Sequence, residues 1–149
     1  MPRLRRILHA TDFSRASTPA LKWALELAKA NRGQLLVLHV MTPPALALPD
    51  QGYVSPGLYE NLEASARRQA QKGLDAVVAK ARRAGVRATG ILLEGVPHEL
   101  IARAARSRKA DLVVIGTHGR SGLAKLFLGS VAGRVVATSP RPVLTVRGR

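Results

Sequence analysis

Leu112-Val113-Val114-Ile115-Gly116-Thr117-His118-Gly119, followed after nine residues by Gly129-Ser130, is the stretch that decides how this chain reads. An apolar run of that length bounded by glycine is consistent with a buried strand. Glycines leaving a buried strand allow close approach of backbone N–H groups to a ligand, because no Cβ intervenes. Ser130 is positioned to cap a following helix, and a helix start attracts anions. Strand, glycine loop and helix start in that order make a cradle for phosphate. The glycines at 116, 119 and 122 run G-x-x-G-x-x-G, not the dinucleotide-binding G-x-G-x-x-G, and no G-x-x-x-x-G-K-[ST] is present.

Outward from this stretch, apolar runs alternate with helical patterns, which predicts an α/β domain with a parallel sheet. Strands are expected at about Arg6–Ala10, Gln34–Val40, Val86–Leu93, Asp111–Ile115 and Val143–Val146. The first helix begins between Ser14 and Pro19 and ends at Gly33, with Leu21, Ala24, Leu25 and Ala28 at helical spacing. A long helix over about Leu58–Ala84 presents Leu62, Ala66, Ala70, Leu74, Val77 and Ala81 on one face. Gly73 inside it should weaken it by about 1 kcal/mol relative to alanine. Further helices span about Pro97–Ser107 and Ser130–Thr138. Residues 41–57 carry four prolines and two glycines and read as a long loop.

The loop spacing G-x2-G-x9-G-[ST] resembles the nucleotide-binding signature of the universal stress protein family. Ile7-Leu8-His9-Ala10-Thr11-Asp12-Phe13-Ser14 looks like that family's first strand and acidic turn. Gly95-Val96-Pro97, Gly129-Ser130-Val131-Ala132 and Pro142-Val143-Leu144-Thr145-Val146 resemble its third-helix start, last helix and last strand. The resemblance implies a three-layer, Rossmann-like fold: an open parallel five-stranded sheet in the order 3-2-1-4-5, with helices on both faces. The strands then open a crevice where connections diverge between strands one and four. It also implies an ATP site, with Mg2+ as a possible companion. The candidate residues are Ala10, Thr11, Asp12, Val40, Gly116, Thr117, His118, Gly119, Arg120, Gly129, Ser130 and Val131.

Each candidate has a chemical role and a plainer alternative. Gly116, Gly119, Gly129 and Ser130 would offer backbone N–H groups, and Ser130 its hydroxyl, to a triphosphate; otherwise they form only a connecting turn. Asp12 would accept hydrogen bonds from ribose hydroxyls or the adenine amine; otherwise it is a turn or N-cap aspartate. The main chain of Val40 would meet the adenine edge; otherwise Val40 is a core valine. His118, Arg120 and Lys125 offer cationic or polar contacts to phosphate, or are solvated loop residues. Two departures from the family pattern are Val131, where a hydroxyl is frequent, and Gly133 inside the last helix.

Composition sets the remaining bounds. The 149 residues fit one domain, 1–149. With no cysteine, disulfides and thiolate metal sites are excluded. No run approaches the ~20 apolar residues of a membrane span, and no signal peptide is evident, so a cytoplasmic protein is expected. The histidines show no metal-ligand spacing. A formal charge of +15 raises the question of polyanion or nucleic-acid binding, but the basic residues are dispersed and aromatic residues make up only 3%, which disfavours base stacking. No residue is spaced to activate water, so a binding module is favoured over a slow ATPase. By resemblance the last strand lies at the sheet edge, where Val143, Leu144 and Val146 would support a homodimer.

Overall fold

The computed structural model describes residues 2–43, 55–118 and 128–148. Its strands are β1 (Arg6–Ala10), β2 (Gln34–Met41), β3 (Arg87–Glu94), β4 (Leu112–Gly116) and β5 (Val143–Val146). The helices are α1 (Thr18–Asn31), α2 (Pro56–Arg83), α3 (Pro97–Ser107) and α4 (Ser130–Thr138), with a 3-10 turn, Arg15–Ser17, leading into α1. The strands form one parallel sheet in the order β3-β2-β1-β4-β5. This is the order that the resemblance implied.

Alternation along each strand divides the core into two layers. Ile7, Leu35, Val37 and Val114 point to one face and pack under α1 and α2. Leu8, Leu36, Leu38, Val113 and Ile115 point to the other and pack under α3 and α4. Both faces are covered, which is why β2 reads as a near-continuous apolar run rather than an alternation.

Two expectations shift. α2 begins at Pro56 rather than Leu58, because the Ser55 hydroxyl accepts the Leu58 N–H at 3.3 Å and Pro56 occupies the first turn. Only the second half of its apolar face is core: Ala70, Leu74, Val78 and Ala81 are buried, whereas Leu58 and Leu62 are exposed. Gly73, expected only as a weak point, has a packing role. A Cβ there would lie 3.0 Å from the Phe13 ring. Among the described residues, no helix is long and apolar enough to cross a membrane.

Candidate functional site

β1 leads to α1 on one face of the sheet, and β4 leads to α4 on the other. Between their carboxyl ends lies a cavity of about 560 Å³. Its floor is the strand ends: Ala10 and Thr11 from β1, Val40 and Met41 from β2, and Ile115 and Gly116 from β4. One wall is Asp12, Phe13 and His39, with Gln69 of α2 above them. The opposite wall is Thr117, His118 and the start of α4 at Gly129, Ser130 and Val131.

Ala10, Thr11, Asp12, Val40, Gly116, Thr117, His118, Gly129, Ser130 and Val131 thus share one cavity. Gly119, Arg120 and Lys125 lie outside the described residues. The sequence reading missed Phe13, His39, Gln69, Pro97 and Ile101. For His39 a signal existed, since it adjoins Val40 at the end of β2. For Gln69 and Ile101 there was none, because helix register alone does not say which turn overlooks a strand end.

The wall after β1 is a knotted turn. Asp12 Oδ1 accepts the Ser14 N–H at 2.9 Å, and Thr11 Oγ1 accepts the Phe13 N–H at 3.0 Å. The Thr11 hydroxyl donates to Ser17 Oγ at 3.1 Å, and the Ser17 hydroxyl donates to the Ser14 carbonyl at 2.7 Å. Asp12 therefore does fold the turn, and at the same time it lines the cavity. Phe13 sits at φ 63, a conformation that is strained for a bulky residue. Its ring packs on His39 with centroids 4.3 Å apart, and His39 Nδ1 lies 2.8 Å from the Thr11 carbonyl.

At two of the glycines the protein's own backbone comes close. The Gly129 N–H donates to the Thr117 carbonyl at 2.6 Å, and a Cβ on Gly129 would meet that same oxygen. Gly116 pairs with Val146 in the sheet, and a Cβ on it would lie 3.3 Å from the Ala16 carbonyl. Gly129, not Ser130, is the N-cap of α4; Ser130 is the first helical residue. The N–H groups of Ser130, Val131 and Ala132 open the helix, where no intrahelical acceptor exists for them. The Val131 side chain turns into the second core layer, so its contribution to the cavity is mainly backbone.

Beneath the floor, His9 is fully buried. Its Nδ1 lies 3.1 Å from the Val114 carbonyl, which fixes the proton on that nitrogen, and Nε2 has no hydrogen-bond partner among the described residues. Burial pushes its pKa down to about 4, against smaller upward pulls from the Val114 carbonyl and the charge of Asp12. The ring is neutral at pH 7. Among the described residues, no group of three or more His, Cys, Asp or Glu gathers to hold a metal ion.

Comparison with known proteins adds identity to this geometry. The sequence profile of the universal stress protein family matches residues 3–147. A universal stress protein of Thermus aquaticus is 38% identical over 143 residues, spanning 96% of this chain and 98% of that one. The solved structure of a Methanocaldococcus jannaschii protein, whose biochemical function was assigned from structure, overlays with a TM-score of 0.85 at 25% identity and covers 99% of each chain. Two further solved universal stress proteins share the fold. One, in complex with cAMP, has a TM-score of 0.71 at 24% identity and covers 99% of this chain and 100% of its own. The other, from Archaeoglobus fulgidus in complex with dAMP, has a TM-score of 0.69 at 23% identity and covers 98% of this chain and 100% of its own. With a profile match over nearly its whole length and a relative 38% identical across 96% of it, this chain belongs to the universal stress protein family.

Proposed function

We propose that this chain binds an adenine nucleotide, ATP, in the cavity between β1 and β4, and works as a nucleotide-dependent stress-response module with at most slow hydrolysis. The observation that carries this reading is the opening of α4 onto the cavity opposite Asp12: an anion-attracting helix start on one wall and a carboxylate on the other. That polarity matches a molecule with phosphates at one end and sugar hydroxyls and an amine at the other. A volume of about 560 Å³ falls within the usual range for ligand pockets, about 300–1,000 Å³. The related cAMP and dAMP complexes support the choice of ligand, since those two molecules share the adenine, the sugar and a phosphate.

In this reading the N–H groups of Ser130 and Val131 and the Ser130 hydroxyl bind phosphate, with Thr117 and His118 beside them; Gly119 and Arg120, outside the described residues, are assigned to phosphate from the loop spacing alone. Asp12 accepts from the ribose, and Ala10 and Thr11 support it. The Val40 main chain meets the adenine edge. Mg2+ would be carried chiefly by the phosphates, with Asp12 the nearest carboxylate. The module pairs with a second copy of itself through β5, the edge strand, using Val143, Leu144 and Val146.

The test is calorimetric titration of ATP into the protein and into Asp12→Ala, at low and at physiological salt. The expected result is binding that persists at physiological salt and weakens in the variant. No binding, or binding that collapses with salt as simple polyanion attraction does, overturns the reading.

A further inference from the structure

The opposite end of the sheet carries a second concavity, of about 550 Å³, lined by Arg3, Arg5, Ala30, Asn31, Arg32 and Arg87. Strand register explains the gathering. Arg6 pairs with Gln34 and Gln34 with Arg87, so β1, β2 and β3 begin side by side. Arg5 and Arg87 therefore emerge at the same edge. Arg32 closes α1 in the left-handed region, at φ 51, and turns the chain into β2. Gly33 then lets the segment before β1 cross against it: a Cβ on Gly33 would collide with the Leu4 carbonyl. The Leu4 N–H approaches Asn31 Oδ1 at 3.5 Å and the Gln34 N–H bonds the Arg5 carbonyl at 2.8 Å. These contacts hold Arg3 and Arg5 beside Arg32.

Four arginines line the basin, and no carboxylate does. Among the described residues, none of the four arginines takes part in an ion pair. The carboxylate nearest in the chain fold is Asp111, and its Oδ2 is bonded to the backbone N–H groups of Arg5 and Arg6, both at 2.8 Å. The carbonyl end of α1 contributes roughly half a negative charge to the rim, far less than the four positive charges. Like charges gathered around one concavity repel, so the basin favours an anion that bridges them. Guanidinium forks match phosphate oxygens in pairs. No aromatic residue lines the basin, so nothing offers a stacking surface for bases.

We infer that this basin is a second anion site, for a free oligophosphate carrying several phosphate groups in a row. It is separate from the cavity proposed for ATP, which lies at the other end of the strands.

The probe is inorganic tripolyphosphate, titrated calorimetrically at physiological salt into the full chain and into Arg5→Gln/Arg87→Gln. Glutamine removes the charge but keeps a polar amide on an exposed side chain, and leaves the backbone contacts of Arg5 intact; thermal melting of the variant checks the fold. Expected is binding that weakens about tenfold or more in the double arginine variant, the consequence of removing two charged hydrogen-bond donors. The same double variant should leave ATP binding at the cavity intact, so failure here and failure of the ATP reading give different results. Absence of tripolyphosphate binding, equal affinity in the double variant, or a preference of the basin for a duplex DNA oligonucleotide over tripolyphosphate overturns the inference.

Discussion

The ring of Phe13 occupies the space that a side chain at position 73 would need: a Cβ on Gly73 would lie 3.0 Å from its Cε2 and 3.1 Å from its Cδ2. Because Phe13 follows Asp12 and is held at φ 63, this contact braces the turn that presents the carboxylate. Gly73→Ala sets two effects against each other. Helix propensity should gain about 1 kcal/mol, while overlap with a ring also packed on His39 should cost about 1–3 kcal/mol. The expected outcome in urea denaturation is a net loss of stability, together with weaker ATP binding. A more stable variant with unchanged affinity would show that Phe13 does not depend on Gly73.

Gly129→Ala should lower the melting temperature in the absence of any nucleotide. Its Cβ would lie 2.6 Å from the Thr117 carbonyl, so Thr117 or the start of α4 has to move. A cost of about 1–3 kcal/mol is expected. If the apo protein melts unchanged and only nucleotide affinity falls, the glycine serves the ligand and not the fold.

His9 ties stability to pH. Its native pKa of about 4 lies below the ordinary histidine value of 6.5, so between those values the unfolded chain binds a proton that the native state does not. Stability is therefore full above pH 6.5 and falls as pH drops toward 4, by an amount on the order of 3 kcal/mol in all. His9→Gln, which retains a donor for the Val114 carbonyl, should flatten that part of the curve. Urea melts at stepped pH check this; identical slopes in both proteins would assign the effect to other groups.

ATP turnover with Mg2+ should stay below the lower end of the usual enzyme range, about 1 s⁻¹. A helix start and backbone donors hold phosphate in the ground state as well as in the transition state, and uniform binding does not speed chemistry. His9 is buried beneath the floor of the cavity, so it does not orient water. Steady-state phosphate release above that rate, from protein free of contaminating ATPase, would place the chain among enzymes.

Light scattering at micromolar concentration should give about twice the chain mass of 15.9 kDa. β5 has a neighbour, β4, on only one side, which leaves its other edge open for pairing. Val143 and Leu144 also pack against the two core layers, so the exposed strand is held in shape for a partner. A monomeric mass would count against pairing through this edge.

Much of the fold was legible in the sequence because its signals are local. Gln34–Val40 reads as a near-continuous apolar run, as expected for a strand covered on both faces, and Pro97 and Ser130 mark helix starts at the residues where the helices begin. The cavity was legible in outline, since Asp12 and Gly116 each follow a strand that the family order places side by side. What escaped was set by distant contacts. Gly73 reads as a helix defect until Phe13 is seen against it, and the bond from the Gly129 N–H to the Thr117 carbonyl leaves no mark in the glycine spacing. Neither partner is close in sequence, so no periodicity records them. The same holds for the arginine basin, where strand register gathers residues that look dispersed along the chain.

The bond from the Gly129 N–H to the Thr117 carbonyl has one more consequence. It joins the two ends of the segment 118–128 at its base, while the Thr117 N–H is anchored on Val146. The end of β4 and the start of α4 are thus tied to each other directly, and the wall of the cavity that α4 forms inherits its position from the sheet through two backbone bonds.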